Sequence, residues 1–175
     1  FARLGLPVPS ESLKELFLLD PEVTFLNHGS FGACPIPVFE TYQRWQRELE
    51  RQPVELLGRR IDGLLAEQRE KLGAYLNCPV DSVVNIMNST WGVNLVIRSL
   101  DLEEGDEVLT TNHEYGACTM AWDWLLDKMG AHLIRHDIPL PATSHEEIVE
   151  SLWSQVTERT KAIFLSHITS PTALT

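Results

Sequence analysis

Residues 107–116 read Glu107-Val-Leu-Thr-Thr-Asn-His-Glu-Tyr-Gly116, and this stretch decides the fold class. Its first five residues are rich in apolar and β-branched side chains, which predicts a short strand. The next five residues are polar and end in glycine, and a helical pattern over residues 115–129 overlaps and follows them. Because a strand that leads through a polar loop into a helix is half of a β-α-β unit, the sequence predicts an α/β protein.

The same alternation continues on both sides of this stretch. Short apolar runs predict further strands at residues 83–87, 132–135 and 161–166, and helical spacing predicts helices at residues 91–100 and 144–153. Ser144 and Glu147 have the spacing of a capping box at the start of the last helix. Strands that alternate with helices of this length predict right-handed β-α-β units and a mostly parallel sheet with helices on both faces.

The first half of the chain has a different pattern, dominated by helices. Helices are predicted at residues 10–19 with Ser10 as the cap, at residues 38–51 and at residues 54–76, and a short strand at residues 23–26. We therefore expect residues 1–52 to form an N-terminal arm with helices, and residues 53–175 to form the first part of a large, incomplete α/β domain. Because the chain begins with Phe1 and stops just after a predicted strand, we expect a longer natural protein.

Composition narrows the possible partners. The chain of 175 residues has 43% hydrophobic and 22% charged residues, as an ordinary globular protein does. A formal net charge of −11 without a basic cluster excludes nucleic acid and anionic membranes as expected partners. The cysteines Cys34, Cys78 and Cys118 are far apart and form no CxxC pair, which predicts free thiols in a reducing, cytoplasmic location.

Three polar loops follow predicted strands, and they are the candidate site. They are Asn88-Ser-Thr-Trp-Gly92, Asn112-His-Glu-Tyr-Gly116 and His167-Ile-Thr-Ser-Pro-Thr172. In open parallel sheets, ligands bind beyond the carboxyl ends of the strands, where such loops lie. Because loops from consecutive strand ends converge on one side of a sheet, each loop strengthens the interpretation of the others.

The first loop opens a helix, whose N-terminus has unpaired N–H groups and a partial positive charge. The Ser89 and Thr90 hydroxyls beside it suit a phosphate group. The alternative is that one of these two residues only caps the helix. In the second loop, the ring of His113 or Tyr115 can stack on a heterocycle, and the alternative is a polar surface histidine.

The third loop offers neutral hydrogen-bond donors, and its alternative is a turn begun by Ser170 and Pro171. Other kinds of site lack their patterns. The six histidines form no zinc-binding pattern, so we expect no metal. The GxSxG pattern of many serine hydrolases is absent, as are the phosphate-loop and GxGxxG patterns of nucleotide-binding proteins.

Five segments in order carry a family resemblance that covers almost all of the chain. They are Phe25-Leu-Asn-His-Gly-Ser-Phe-Gly-Ala-Cys-Pro35, Arg44-Trp-Gln-Arg-Glu-Leu-Glu50, Asn88-Ser-Thr-Trp-Gly-Val-Asn94, Thr111-Asn-His-Glu-Tyr-Gly-Ala117 and Leu165-Ser-His-Ile-Thr-Ser-Pro-Thr172. Together they resemble the isopenicillin-N epimerase-like branch of the class V aminotransferase type of pyridoxal-phosphate (PLP) enzymes. That branch also includes the hercynylcysteine sulfoxide lyases.

This resemblance implies the N-terminal arm and part of the large domain of a PLP-dependent enzyme of fold type I. It implies a homodimer that acts on an amino acid through a carbanion stabilised by PLP, as an epimerase or a carbon–sulfur lyase. By position, it implies that Ser89, Thr90 and Trp91 bind the cofactor phosphate. It implies that His113 or Tyr115 contacts the pyridine ring, and that His167 or Thr169 contacts the ring's 3′-oxygen. It also implies that Asn27 and His28 contact the substrate carboxylate and that Tyr115 donates a proton.

The resemblance also implies an aspartate on the next strand and, further on, a lysine that forms a Schiff base with PLP. We expect neither residue in this chain, since the resemblance places both after the last predicted strand. The chain's lysines Lys14, Lys71, Lys128 and Lys161 do not match the family's lysine motif. We therefore expect the 175-residue chain alone to be inactive. The alternative is a noncatalytic fragment or remnant that binds a phosphate ligand or a partner protein.

Overall fold

The computed structural model describes residues 13–141 and 144–175. Contacts divide the chain into two compact units, Phe1–Val84 and Asn85–Thr175. The domain boundary predicted between residues 52 and 53 lies inside the first unit and stays a prediction. None of the helices in the described part of the chain combines the length and the apolarity needed to cross a bilayer.

The start of the first unit differs from the sequence-based prediction. Ser10 lies outside the described residues, and the helix expected to reach Leu19 is only a 3₁₀ turn, Leu13–Leu16. It ends there because Phe17 forms an antiparallel bridge with Pro35. The strand predicted at residues 23–26 is also absent, since a turn precedes it in which Asp20 accepts hydrogen bonds from the Glu22 and Val23 N–H groups.

The helices predicted at residues 38–51 and 54–76 are present, and a short helix lies at residues 28–31, where the sequence predicts a glycine-containing loop. The helices of the first unit are α1 (His28–Phe31), α2 (Ile36–Arg51), α3 (Pro53–Glu55) and α4 (Ile61–Leu76), and a π-helical segment, Leu56–Arg60, joins α3 to α4. The break between α2 and α3 falls at Gln52, before a proline that cannot continue the hydrogen-bond pattern of a helix. After α4, Asn77 adopts the left-handed conformation, with a φ of 55°, that commonly ends a helix.

The second unit is the predicted α/β structure. Its elements are α5 (Ser89–Ser99), β1 (Glu107–Thr111), α6 (Gly116–Met129), β2 (His132–His136), α7 (His145–Trp153) and β3 (Thr160–Ile163). Both β2 and β3 pair with β1 in parallel, which gives the strand order β2-β1-β3. The Ser144 side chain accepts a hydrogen bond from the Glu147 N–H at 3.2 Å, so Ser144 caps α7 as its spacing predicts.

The strand predicted at residues 83–87 is wrong. Residues 83–86 follow a 3₁₀ turn, Val80–Ser82, and have no strand assignment. A strand needs a neighbour to receive its backbone hydrogen bonds, and the sheet in the described residues consists of β2, β1 and β3, none of which pairs with this run. Within the described residues, the apolar run at 83–87 pairs with no strand.

The core of the second unit lies between β1, α5 and α6. Every residue of β1 is buried, and its Val108 packs in one cluster with Ile97 of α5 and with Trp122, Leu125 and Leu126 of α6. Because β1 is the central strand, the loop after it lies between the ends of β2 and β3. This arrangement places residues 112–116 at the middle of the carboxyl edge of the sheet.

Candidate functional site

The N-terminus of α5 is capped by a residue that sequence analysis did not single out. Asn88 is extended, and its Oδ1 accepts a hydrogen bond from the Trp91 N–H at 2.9 Å. The interpretation that Ser89 or Thr90 only caps this helix is therefore wrong. In the first turn, the N–H groups of Ser89 and Thr90 have no acceptor within the helix, and Ser89 is exposed. This helix end is thus arranged to bind an anion.

A buried thiol of α6 lies beside this helix end. Cys118 of α6 is 5% exposed and has the Thr90 side chain as a hydrogen-bond partner. Burial raises the pKa of the Cys118 thiol, the bond with Thr90 opposes this change, and the nearby Glu114 carboxylate adds to the rise. A thiol with a raised pKa stays protonated at neutral pH, so Cys118 is a packing group here rather than a nucleophile.

His113 and Tyr115 differ sharply in their surroundings. His113 is 4% exposed; its N–H donates to Thr111 Oγ1 at 3.2 Å, and its Nδ1 lies 3.0 Å from Thr172 Oγ1. Tyr115, two residues later, is 53% exposed and precedes the first turn of α6. The His113 ring is therefore held in place by the protein, whereas the Tyr115 ring extends to the surface of the unit.

Glu114 lies between these two residues and is buried. Its Oε1 accepts a hydrogen bond from Thr111 Oγ1 at 3.0 Å, and its Oε2 accepts a short hydrogen bond from Ser166 Oγ. Thr111 ends β1, and Ser166 lies just beyond β3. The carboxylate therefore ties the exits of two neighbouring strands together. Sequence analysis missed Glu114, although a charged residue in a short loop between a buried strand and a helix was a usable signal.

The third loop closes on the second through hydroxyl groups. Thr169 Oγ1 lies 3.0 Å from Thr172 Oγ1, and Thr172 in turn reaches His113. His167 is exposed, whereas Thr169 is half-buried. Contacts thus join the second loop to the third, from His113 to Thr172 and from Glu114 to Ser166 beside the third loop. Thr90 of the first loop contacts Cys118 of α6, the helix that follows the second loop.

Three other predicted residues have local contacts of their own. The backbone N–H of Trp91 is occupied by Asn88, and its indole ring is 43% exposed. Asn27 caps α1 through the Ser30 N–H at 3.3 Å, and the His28 ring packs edge-on against Phe25, with centroids 4.7 Å apart. Asn27 and His28 belong to the first unit, and their predicted contact with substrate stays a prediction.

Metal binding finds no support in the part of the chain that the structure describes. Across residues 13–141 and 144–175, no group of three or more histidine, cysteine, aspartate or glutamate side chains is placed to hold an ion. The polar groups that hydrogen bonds link at the carboxyl edge of the sheet include several hydroxyls, backbone N–H groups, the His113 imidazole and the Glu114 carboxylate. Such a set suits an organic ligand with a phosphate group better than a bare cation.

Comparison with known sequences gives a consistent family. Residues 37–172 match the profile of the aminotransferase class-V family. The chain is 34% identical over 164 residues to the isopenicillin N epimerase of Amycolatopsis lactamdurans, covering 92% of this chain and 41% of that protein. It is 26% identical to the probable chloroplastic L-cysteine desulfhydrase of Arabidopsis thaliana, covering 81% of this chain and 31% of that protein. The chain therefore spans about two fifths or less of these relatives.

Solved structures match the fold. A complex of the cystine C–S lyase C-DES with its product cysteine persulfide superposes with a TM-score of 0.74 at 21% identity, covering 86% of this chain and 40% of that one. A C-DES mutant with glycine covalently linked to its PLP cofactor superposes with a TM-score of 0.72, also at 21% identity, covering 85% and 39%. At this identity the likeness shows the fold, which is that of fold type I PLP enzymes.

Proposed function

We propose that this chain is the front part of a PLP-dependent enzyme that acts on an amino acid, because the chain belongs to the aminotransferase class-V family. We propose an epimerase or a carbon–sulfur lyase that works as a homodimer. One observation carries the proposal: the buried ring of His113 and the hydroxyl of Thr169 are linked through Thr172 at one edge of the sheet. Thr90, at the start of α5, lies beside Cys118 in the helix that follows the loop of His113.

The residues at this edge fit the phosphate group of PLP. The exposed hydroxyl of Ser89 and the N–H groups of Ser89 and Thr90 lie at the positive end of an 11-residue helix. Since Thr90 already shares its hydroxyl with Cys118, we propose that Thr90 contributes its N–H and that Ser89 contributes both groups. Because Asn88 satisfies the Trp91 N–H, the helix end keeps its form without a ligand.

The pyridine ring has a matching partner in His113. A buried imidazole held by a hydrogen bond offers a flat face whose orientation does not need to be fixed on binding. We propose that His113 lies against the ring, and that Thr169 or His167 approaches the ring's 3′-oxygen. Tyr115 is more exposed, which suits a residue that meets substrate and donates a proton.

When bound, PLP supplies an electron sink for cleavage of a bond at the amino acid's α-carbon. Each of the chain's own lysines has a partner of another kind. Lys71 pairs with Glu67 at 2.6 Å, Lys128 lies 3.6 Å from the Trp124 ring centroid, Lys161 lies 3.8 Å from Asp106, and Lys14 donates to the Pro21 carbonyl at 2.9 Å. We therefore propose that the lysine which holds PLP lies outside these 175 residues, and that the chain alone does not turn over substrate.

The phosphate assignment is tested with the full-length protein and PLP. In Ser89→Glu, a carboxylate would face the phosphate, and in Ser89→Ala one hydroxyl is lost. We expect Ser89→Ala to weaken PLP binding roughly 5- to 30-fold, which corresponds to about 1–2 kcal/mol, and Ser89→Glu to weaken it further. The matched control is Ser99→Ala at the other end of α5, where the hydroxyl bonds only to the Leu95 carbonyl.

The outcomes separate the proposal from its alternative. Unchanged PLP affinity in both Ser89 variants would contradict the phosphate assignment. A full-length protein that binds inorganic phosphate but never gains a PLP absorbance band would instead favour a noncatalytic, phosphate-binding protein. Turnover is followed as exchange of the amino acid's α-hydrogen for deuterium, because epimerases and carbon–sulfur lyases of this kind share that proton removal.

A further inference from the structure

A chain of hydrogen bonds runs from a backbone amide to the buried histidine. The Leu174 N–H donates to Thr169 Oγ1 at 2.7 Å, Thr169 Oγ1 lies 3.0 Å from Thr172 Oγ1, and Thr172 Oγ1 lies 3.0 Å from His113 Nδ1. Each hydroxyl has one proton to donate, so the direction of each bond depends on its neighbours. The direction at one end therefore limits the directions that the next bonds can take.

The backbone end has only one possible direction. An amide N–H can only donate, so Thr169 Oγ1 is an acceptor there. The Thr169 proton then has two possible acceptors, the Leu174 carbonyl at 3.4 Å and Thr172 Oγ1 at 3.0 Å. The carbonyl already accepts the Thr169 N–H at 3.1 Å, and the hydroxyl is nearer. These contacts favour donation from Thr169 to Thr172.

The next bond follows from this one. Because Thr172 Oγ1 accepts from Thr169, the Thr172 proton is free to point to His113 Nδ1. We propose that Thr172 is a positioning residue that holds His113 as the neutral tautomer with its proton on Nε2. The tautomer is a property of the polypeptide, and only its role toward PLP or substrate rests on the proposed function.

The tautomer limits what His113 does. With its proton on Nε2, that nitrogen is a hydrogen-bond donor, and the lone pair of Nδ1 is occupied by Thr172. Neither nitrogen then has a free lone pair to remove a proton from substrate. His113 therefore acts as a flat, neutral ring partner and donor, and proton removal at the α-carbon falls to another group.

The test is nitrogen-15 NMR of histidine side chains in the full-length protein, at a pH where the imidazoles are neutral. The spectrum distinguishes protonated from unprotonated ring nitrogens, and the His113 signals are identified by their response to Thr172→Val. We expect a protonated Nε2 and a hydrogen-bonded, unprotonated Nδ1 in the parent. In Thr172→Val, the Nδ1 signal should shift to that of a free lone pair, and the share of the Nδ1–H tautomer should rise.

Further variants make the result specific. Thr172→Ser keeps the hydroxyl and should restore the parent spectrum, and Thr169→Val should move it in the same direction as Thr172→Val, by less. Thr175→Val is the control, since Thr175 is exposed in the same segment. Should Thr172→Val fail to fold, Thr169→Val and Thr172→Ser decide the question. A proton on Nδ1 in the parent, or a spectrum that none of these variants alters, overturns the proposal.

Two measurements on the same samples distinguish the tautomer proposal from the proposed function. PLP binding, measured by absorbance, tests the proposed function, whereas the nitrogen signals test the tautomer in protein without PLP. An Nε2–H tautomer in a protein that binds no PLP would leave the role of Thr172 intact and remove the proposed function. A proton on Nδ1 in a protein that binds PLP would do the reverse.

Discussion

The two ends of β1 each have a buried glutamate, and the two glutamates are held in different ways. At the amino end, Glu107 accepts a hydrogen bond from Thr157 Oγ1 at 2.6 Å and forms an ion pair with Arg159 at 2.6 Å. At the carboxyl end, Glu114 follows the strand and is held by the hydroxyls of Thr111 and Ser166. One carboxylate has a cation as a direct partner, and the other has two neutral donors.

Glu107 thus has the partners of a structural ion pair, whereas Glu114 orders the loop that contains His113. The hydrogen bond from Thr157 lowers the pKa of Glu107, burial opposes that change, and Arg159 lowers the pKa further. The contacts of Glu107 thus join the amino end of β1 to the segment before β3, and Arg159 neutralises the charge of the carboxylate. At the carboxyl end, two hydroxyls donate hydrogen bonds to Glu114, and these bonds keep the adjacent backbone of His113 in position. Neutral donors order this loop without adding a fixed positive charge beside it.

The strongest test replaces each glutamate by valine. In Glu114→Val, the buried Thr111 hydroxyl loses its acceptor, so we expect a loss of about 1–3 kcal/mol of unfolding free energy for an unsatisfied buried group. PLP binding by the full-length protein should also weaken, because the loop with His113 is no longer tied to Ser166. Urea unfolding and PLP titration measure the two effects.

Glu107→Val is the matched control for that variant, at the other end of the same strand. It should lower stability as well, but PLP affinity per folded molecule should stay unchanged. Glu114→Gln, which keeps an oxygen acceptor, should recover part of both losses. Equal weakening of PLP binding by the two valine variants would remove the proposed distinction between the ends of β1.

The sequence predicted the layout of the second unit but not the contacts that hold its site. The alternation around residues 107–116 predicted a parallel α/β structure, which is confirmed, as is the family resemblance. Glu114 was missed because its partner Ser166 lies 52 residues away in the sequence. Asn88 bonds locally to Trp91, and its position before a predicted helix was a readable cap signal. Local pattern also mistook residues 83–87 for a strand, since an apolar run does not reveal whether a neighbouring strand is free to pair.

A smaller effect is expected from the charge at the amino end. Because the folded-state pKa of Glu107 is lowered, its carboxylate stabilises the fold above the unfolded value of about 4.3. That stabilisation is lost as the pH falls through the folded-state pKa. Glu107→Gln should therefore be less stable than the parent at pH 7, and the difference should narrow as the pH falls below about 4.3.

Urea midpoints of the parent and Glu107→Gln across this pH range measure the difference. Two charged or titratable groups face Glu107, namely Arg159 and, in register on β2, His132. Running the series also in His132→Gln separates the histidine's contribution from that of Glu107. A difference between parent and Glu107→Gln that stays constant from pH 7 to pH 3 would mean that the Glu107 charge contributes nothing to folding.

The smallest effect is expected at Cys118, whose thiol is affected by both Thr90 and Glu114. Burial raises the pKa of this thiol, and the Glu114 carboxylate raises it further. Removing that negative charge in Glu114→Gln should lower the pKa of Cys118 slightly, so alkylation should begin at a lower pH. Exposed Cys34 provides an internal reference in the same peptide map, because its thiol is accessible to the reagent. If the alkylation profile of Cys118 is identical in parent and variant, the Glu114 carboxylate exerts no field on the thiol that contacts Thr90. The link between the start of α5 and the loop of His113 would then rest on packing alone.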